Sequence, residues 1–184
     1  MGKKVLVPVA HGTEPLEAVA IIDILRRAKA LVTVASVSGS PVVVGSHGIQ
    51  LTADCLIEDC MEETYDLVVL PGGIPGVEHL RDSTVLADIL KKQVCQDRLY
   101  AGICAAPAVV LEAHGLVGSH RVTCHPSFKD RLKDRNHSNL PVVRDGNLIT
   151  GRGAGTAVAF ALSLVETLFD AQQKKSVETG LALN

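Results

Sequence analysis

The cysteine at position 104 is the residue whose type and surroundings most directly suggest chemistry. Cys104 lies in the stretch GICAA, where an apolar, strand-like run gives way to a helix-like run. Small neighbours of this kind occur in the nucleophile elbow of the G-x-S-x-G type, because the strand-to-helix reversal crowds the backbone around the nucleophile. The dipole and free N–H groups of a helix beginning near Ala106 and Pro107 are expected to lower the pKa of the thiol. From this local pattern alone, a nucleophilic thiolate and a small buried core residue remain open alternatives.

Glu17 and His125 are the side chains that we expect to act with Cys104. Glu17 falls in the first turn of the helix predicted after the first strand, and His125 ends the apolar run HRVTCHP. Because ligands bind beyond the carboxyl ends of parallel strands, both side chains are directed at the crevice that also receives Cys104. A carboxyl group there can hydrogen-bond the sulfur and act as general acid or base, and beside a thiolate it should be largely protonated. The alternative for Glu17 is compensation of the helix dipole, as for Glu14, and a lone histidine is usually structural or solvated.

Glycines follow two of the predicted strand ends. In PGGIPG, Gly72 and Gly73 leave backbone N–H groups uncovered by side chains, which suits an anion or oxyanion site as well as a tight turn. Neither this stretch nor GRGAGT is a G-x-x-x-x-G-K-[ST] phosphate loop, and the turn after the first strand lacks G-x-G-x-x-G. Nucleotide binding is therefore not expected, and we predict no cofactor.

The elements around these residues alternate between strand and helix. Apolar, β-branched runs such as KKVLVPVA, LVTVASVS, YDLVVLPGG, RLYAGIC and HRVTCHP are separated by helix-period segments, namely PLEAVAIIDILRRAKA, TVLADILKKQVCQ, APAVVLEAHG and GTAVAFALSLVETLFDAQQ. SGSPVVVGSHGIQLT and VVRDGNLIT have the pattern of hairpins. This order predicts an α/β sandwich with a mostly parallel sheet, in a single domain that covers residues 1–184.

The five cysteines do not indicate a disulfide framework or a metal site. An odd count without a secretory signal argues against disulfides, and Cys55 and Cys60 lack the C-x-x-C spacing of a zinc site. Cys124 and His125 are adjacent, so on a strand their side chains point to opposite faces and do not easily meet at one metal.

Composition and charge exclude several classes of partner. The net charge of −2 and an aromatic content of only 3% argue against specific nucleic-acid binding. No run reaches the ~20 apolar residues of a membrane span. The first apolar stretch, of about six residues, is too short for a signal peptide, which predicts a cytoplasmic protein.

Together these motifs resemble one known family. The stretches GTEPLEAV, DILRRA, YDLVVLPGG, ICAAP, VTCHP and LITGRGAGTA occur in the order typical of the DJ/ThiJ/PfpI superfamily, in particular the branch of the parkinsonism-associated protein deglycase and its bacterial relatives. The resemblance covers nearly the whole chain. It implies a flavodoxin-like three-layer sandwich with a nucleophile elbow, usually assembled as a homodimer.

The resemblance also implies roles for individual residues. Cys104 would be the reactive cysteine, Glu17 the acid that contacts its sulfur, and His125 the neighbouring histidine. The backbone N–H groups of Gly72, Gly73 and Ala105 would line an oxyanion site. Arg27 and Arg152 match positions where relatives keep arginines, but we assign them no chemistry. Two residues depart from the family pattern: Ile74 replaces a polar residue of some relatives, and Cys124 stands where threonine is common.

Three functions are compatible with this site. The first is cysteine-dependent, glutathione-independent conversion of methylglyoxal or glyoxal to hydroxy acids, with or without deglycation of early adducts. The second is an oxidative-stress sensor or redox-regulated chaperone that forms sulfinic acid at Cys104, with Cys124 as a possible resolving thiol. The third, a cysteine peptidase, is disfavoured because Ala105 rather than histidine follows the cysteine and Glu17 offers no base–orienter pair.

Overall fold

The computed structural model describes residues 2–132 and 137–183. In that part of the chain the strands are β1 Lys4–Val9, β2 Leu31–Ser36, β3 Val42–Val44, β4 Gln50–Thr52, β5 Cys55–Leu56, β6 Leu67–Leu70, β7 Leu99–Ile103, β8 Val142–Asp145 and β9 Leu148–Gly151. The α-helices are α1 Pro15–Arg27, α2 Gly76–Asp82, α3 Thr84–Cys95, α4 Ala157–Leu168 and α5 Ala171–Gly180. A π-helical segment spans Pro107–Leu111, and short 3₁₀ segments lie at Ser46–Gly48, Ile57–Cys60, Pro126–Arg131 and Ala154–Thr156.

A central sheet holds seven of the described strands in the order β5-β2-β1-β6-β7-β9-β8. All neighbours are parallel except β8 and β9, which form an antiparallel hairpin. The strands β1 and β6 are apolar and buried along nearly their whole length, as expected where both faces of a parallel sheet are covered. The chain order reverses between β1 and β6, which is the position where α/β folds bind their ligands.

Two apolar layers enclose the sheet. On one face the core packs against α1, α4 and α5, and on the other against α2, α3 and the π-helical segment. This arrangement confirms the predicted three-layer α/β sandwich. No helix in residues 2–132 and 137–183 has the length and apolarity needed to cross a bilayer.

Several local predictions were wrong. The run HRVTCHP forms no strand but a single bridge between Val122 and His137, because β8 occupies the edge beside β9. The single helix predicted for GTAVAFALSLVETLFDAQQ is divided into α4 and α5, because Asp170 caps the start of α5. The helix predicted after Cys104 is present, but it is a π-helical segment that spans only Pro107–Leu111.

Candidate active site

Cys104 lies at the end of β7 in a left-handed backbone conformation, with φ of 64°. A non-glycine residue adopts this conformation only where the surroundings hold it there. Here the N–H of Cys104 donates to the carbonyl of Gly151 at 2.9 Å, and the carbonyl of Cys104 accepts from the N–H of His125 at 2.8 Å. These contacts fix the turn between β7 and the π-helical segment as a strand-to-helix elbow, with the cysteine at its apex.

Glu17 reaches the cysteine from the first turn of α1. The side chain is fully buried, at 0% exposure. Its Oε2 accepts the N–H of Gly72 at 2.7 Å, while Oε1 has no hydrogen-bond partner among the described residues. The carboxyl group also faces the Cys104 thiol, which favours its charged form. Burial, which disfavours the charged form, raises the pKa of Glu17 to about 7, so that a large share of the carboxyl is protonated at neutral pH.

The acidity of Cys104 differs from the expectation. Burial, followed by the charge of an ionised Glu17, raises the pKa of the thiol to about 12, whereas a lowered pKa was expected. The backbone N–H groups of Ala105 and Gly73 act in the opposite direction. The short π-helical segment offers only a weak dipole to offset burial. Because both groups share one buried site, at most one of them carries a negative charge near neutral pH.

The two glycines after β6 have different roles. The N–H of Gly72 is donated to Glu17, so it orients the acid and does not face the oxyanion site expected for it. The N–H of Gly73, like that of Ala105, points at the cysteine sulfur. Gly73 has φ of 98°, and a side chain there would overlap the backbone of Gly12 and Glu14. The structure therefore brings together two anion-facing N–H groups rather than three.

His125 lines the same cavity as Cys104. Its Nδ1 accepts the N–H of Ser127 at 3.3 Å, as the cap of the 3₁₀ segment Pro126–Arg131. Since Nδ1 is used as an acceptor, we assign the proton of the neutral ring to Nε2. The neutral imidazole is then a hydrogen-bond donor through Nε2.

The cavity above Cys104 has a volume of about 490 Å³. Besides the predicted residues it is lined by Glu14, Arg152 and the loop 153–156. Sequence reasoning missed these residues as part of the site, although GRGAGT follows a strand and the strand-end rule directs it to this edge. Arg152 is held by a bond from its Nη1 to the carbonyl of Asn139 at 3.1 Å, whereas Arg27 pairs with Asp23 on α1.

Cys124 is not among the residues that line this cavity. Cys124 is fully buried, and its thiol donates to the carbonyl of His125 at 3.4 Å. Its proposed resolving role stays a prediction. In the described part of the chain, no three His, Cys, Asp or Glu side chains converge as metal ligands.

Comparisons with known proteins agree with this architecture. Protein DJ-1 homolog B from Arabidopsis thaliana is 46% identical to this chain over 90% of its residues. The match covers only 38% of that relative's length. The glutathione-independent glyoxalase DJR-1.2 from Caenorhabditis elegans is 37% identical over 92% of this chain and 90% of its own. The solved structure of oxidized Toxoplasma gondii DJ-1 superposes with a TM-score of 0.96 at 43% identity, covering 98% of both chains. Residues 3–167 match the DJ-1/PfpI family, and the chain belongs to that family.

Proposed function

We propose that this protein is a glutathione-independent glyoxalase that converts methylglyoxal and glyoxal to hydroxy acids with Cys104 as nucleophile. The observation that carries the proposal is the elbow cysteine, which has a buried acid and two N–H groups at its sulfur and opens into a cavity with His125. The name of the nematode relative supports the same reaction class. The reaction adds one water to methylglyoxal and gives lactate.

The first step is attack on the aldehyde carbon. The Cys104 thiol passes its proton to the Glu17 carboxylate, and the thiolate forms a C–S bond while the carbonyl π bond breaks. The N–H groups of Gly73 and Ala105 stabilise the oxyanion, which then takes the proton from Glu17. The product is a neutral hemithioacetal beside a Glu17 carboxylate.

The second step moves hydrogen between the two carbons of the substrate. The Glu17 carboxylate removes the C1 proton, which gives an enediol-type intermediate, and then returns that proton to C2. The proton of the C1 hydroxyl passes to the oxygen on C2, so that C1 becomes the carbonyl carbon of the thioester. The Nε2–H of His125 hydrogen-bonds the oxygen on C2 during this transfer. The result is a thioester of the 2-hydroxy acid on Cys104.

Hydrolysis closes the cycle. Glu17, again ionised, removes a proton from the attacking water, the C–S bond breaks, and the leaving thiolate takes up that proton. A protein of this kind also lowers the level of early glycation adducts, because those adducts exchange with free dicarbonyl. Deglycation is therefore a consequence of the same chemistry, and free dicarbonyls are the substrates we propose.

The test is glutathione-free consumption of methylglyoxal with lactate quantified, using wild type and Cys104→Ser. We expect many turnovers in wild type and none in the variant. Cys95→Ser is the matched control, because Cys95 is an exposed free cysteine outside the cavity and its loss should leave the rate unchanged. Stoichiometric uptake of methylglyoxal without lactate would contradict the proposal.

Oxidation sensing at Cys104 is the second candidate function. It is favoured by the half-buried position of the thiol and by the raised pKa of Glu17, because a protonated carboxyl can donate a hydrogen bond to a sulfinate oxygen. The related Toxoplasma protein was solved in an oxidized form. Glu17→Asp shortens the side chain and should lower the yield of sulfinic acid at a fixed peroxide dose. An unchanged product distribution by mass spectrometry would remove this role for Glu17.

A further inference from the structure

Cys55 and Cys60 lie in contact at the edge of the sheet, away from the candidate active site. Cys55 is in the edge strand β5, and Cys60 ends the following 3₁₀ segment. Their sulfur atoms are 3.7 Å apart. Cys60 is almost completely buried, at 2% exposure, whereas Cys55 is half-buried. The sequence alone gave no reason to pair them, because C-x-x-x-x-C is not the spacing of a zinc site.

The two thiols open into a cavity of their own. It has a volume of about 290 Å³ and is also lined by the first residues of β1 and β2, Lys4 and Leu31. The cavity above Cys104 is lined by residues that follow β6, β7 and β9, and the two cavities share no lining residue. A small molecule can therefore reach Cys55 without entering the site of Cys104.

We propose that Cys55 and Cys60 form a redox-active dithiol site that a small disulfide oxidises to an intrachain disulfide. The sulfur atoms have to approach from 3.7 Å to about 2.05 Å. Cys55 is in an edge strand and the intervening segment is only four residues long, so this approach is a local movement.

Each step of the oxidation is balanced. The Cys55 thiol loses its proton to solvent and attacks one sulfur of the small disulfide, which releases one thiolate and leaves a mixed disulfide on Cys55. Cys60 then loses its proton and attacks the Cys55 sulfur, which releases the second thiolate. The two released thiolates take up the two protons. One disulfide is thus reduced to two thiols while the protein dithiol is oxidised.

Charge around Cys55 decides which disulfide suits the cavity. Burial raises the pKa of the Cys55 thiol to about 12, with smaller contributions from the Cys60 thiol and from the carboxylates of Asp59 and Asp54. Glu63 also lines the cavity, although Lys4 pairs with it at 2.7 Å. Arg26 pairs with Asp54 at 3.1 Å, so Asp59 is the carboxylate that a disulfide meets beside Cys55. A cationic disulfide of low mass is therefore the appropriate probe. Cystamine has this charge.

The experiment follows the fate of cystamine by mass spectrometry, in the full chain carrying Cys104→Ser so that the elbow thiol does not contribute. We expect Cys55 and Cys60 to become unreactive toward an alkylating agent at the same time. We also expect no half-cystamine to remain on either residue. With Cys60→Ser, the adduct on Cys55 should persist about ten times longer or more, because the resolving thiol is gone. Cys60→Ala is measured in parallel, in case serine disturbs the buried position.

Cys95 supplies the matched control. It is an exposed free cysteine at the end of α3, so its cystamine adduct should persist equally with and without Cys60. Dithiothreitol should restore both thiols of the pair. A stable adduct on Cys55 in the presence of Cys60, or no reaction at Cys55 while Cys95 reacts, would overturn the proposal.

Discussion

At the scale of single residues, the buried acid Glu17 links the chemistry of the site to the stability of the fold. The side chain is fully buried, and burial raises its pKa from 4.5 to about 7. Below pH 4.5 the carboxyl is protonated in both the folded and the unfolded chain. Between pH 4.5 and about 7, Glu17 is ionised in the unfolded chain but keeps its proton in the folded chain. The free energy of unfolding therefore falls as the pH rises through this range.

This linkage predicts the behaviour of Glu17→Gln, which keeps the acceptor for Gly72 but cannot ionise. The difference between a pKa of 4.5 in the unfolded chain and about 7 in the folded chain corresponds to about 3 kcal/mol, at about 1.4 kcal/mol per pH unit. We expect the variant to be more stable than wild type by up to that amount at pH 8 and equally stable near pH 4. Urea denaturation at both pH values measures the free energy of unfolding of the two proteins. The contributions of the other ionisable groups are the same in both and cancel in the difference. A difference that does not change with pH would contradict the assignment.

The glycine at position 72 is required by close packing. A Cβ there would lie 2.6 Å from the Cβ of Cys104 and 2.7 Å from Oε2 of Glu17. The backbone cannot easily retreat, because its carbonyl accepts the N–H of Glu14 at 2.9 Å. Gly72→Ala should therefore displace the acid from the thiol, at a cost of about 1–3 kcal/mol in stability and about a hundredfold in turnover of methylglyoxal.

Gly155→Ala is the control for this prediction. Gly155 lines the same cavity, but a Cβ there meets no atom within 4 Å. We expect stability close to that of wild type and only a small change in turnover. Equal losses in the two variants would show that the cavity tolerates no added methyl group and would refute the specific role of Gly72.

At the scale of elements, the sequence predicted most of the framework but not every boundary. Both hairpins, β3–β4 and β8–β9, were correct because their turn residues are local signals. The strand predicted around Val122 was wrong. Its composition suits a strand, but β8 rather than this segment pairs with β9.

For the site, the strand-end rule located Cys104 and Glu17. It did not show that the Gly72 N–H is donated to Glu17, because that bond depends on tertiary packing.

The break between α4 and α5 had a local signal that the helical periodicity concealed. Asp170 precedes α5 by one residue, and its Oδ1 accepts the N–H of Gln173 at 2.7 Å. Aspartate followed three residues later by glutamine is close to the pattern of a capping box. In turn, the side chain of Gln173 donates to the carbonyl of Ala28 at the end of α1, at 3.1 Å.

Removal of this cap should loosen the last helix. Asp170→Ala is expected to lower the free energy of unfolding by about 1 kcal/mol, since the N–H of Gln173 loses its acceptor. Asp88→Ala on α3 is the comparison, because Asp88 only pairs with Lys91 at the surface, at 3.4 Å, and such pairs contribute little. Chemical denaturation of the two variants gives the difference. An equal effect of both would indicate that Asp170 does not act as a cap.

At the scale of the whole molecule, exposed apolar side chains gather on one surface. This apolar patch is formed by the start of α1 and the β3–β4 hairpin, with Leu16, Val19, Val42, Val44 and Ile49 each more than 40% exposed. The hairpin and the loop before α1 are joined by backbone bonds, from Gly12 to Val44 at 2.8 Å and from Ser46 to Thr13 at 2.9 Å. These bonds hold the two parts of the patch together, beside Glu14 at the rim of the cavity above Cys104.

We propose that the apolar patch joins two copies of this chain, because the family resemblance implies a homodimer. A twofold axis would place the hairpin of one protomer against the same surface of its partner and bury both sets of apolar side chains. Ile49→Asp puts an unpaired charge into that interface, so we expect the dimer to dissociate to monomer in light scattering at micromolar concentration. Met61→Asp is the matched control, since Met61 is also an apolar residue more than 40% exposed but lies outside the patch. If wild type is a monomer, or if both variants remain dimeric, the patch is not the surface that joins two copies. If Ile49→Asp alone dissociates, the same preparation shows whether turnover of methylglyoxal depends on a second copy beside the cavity.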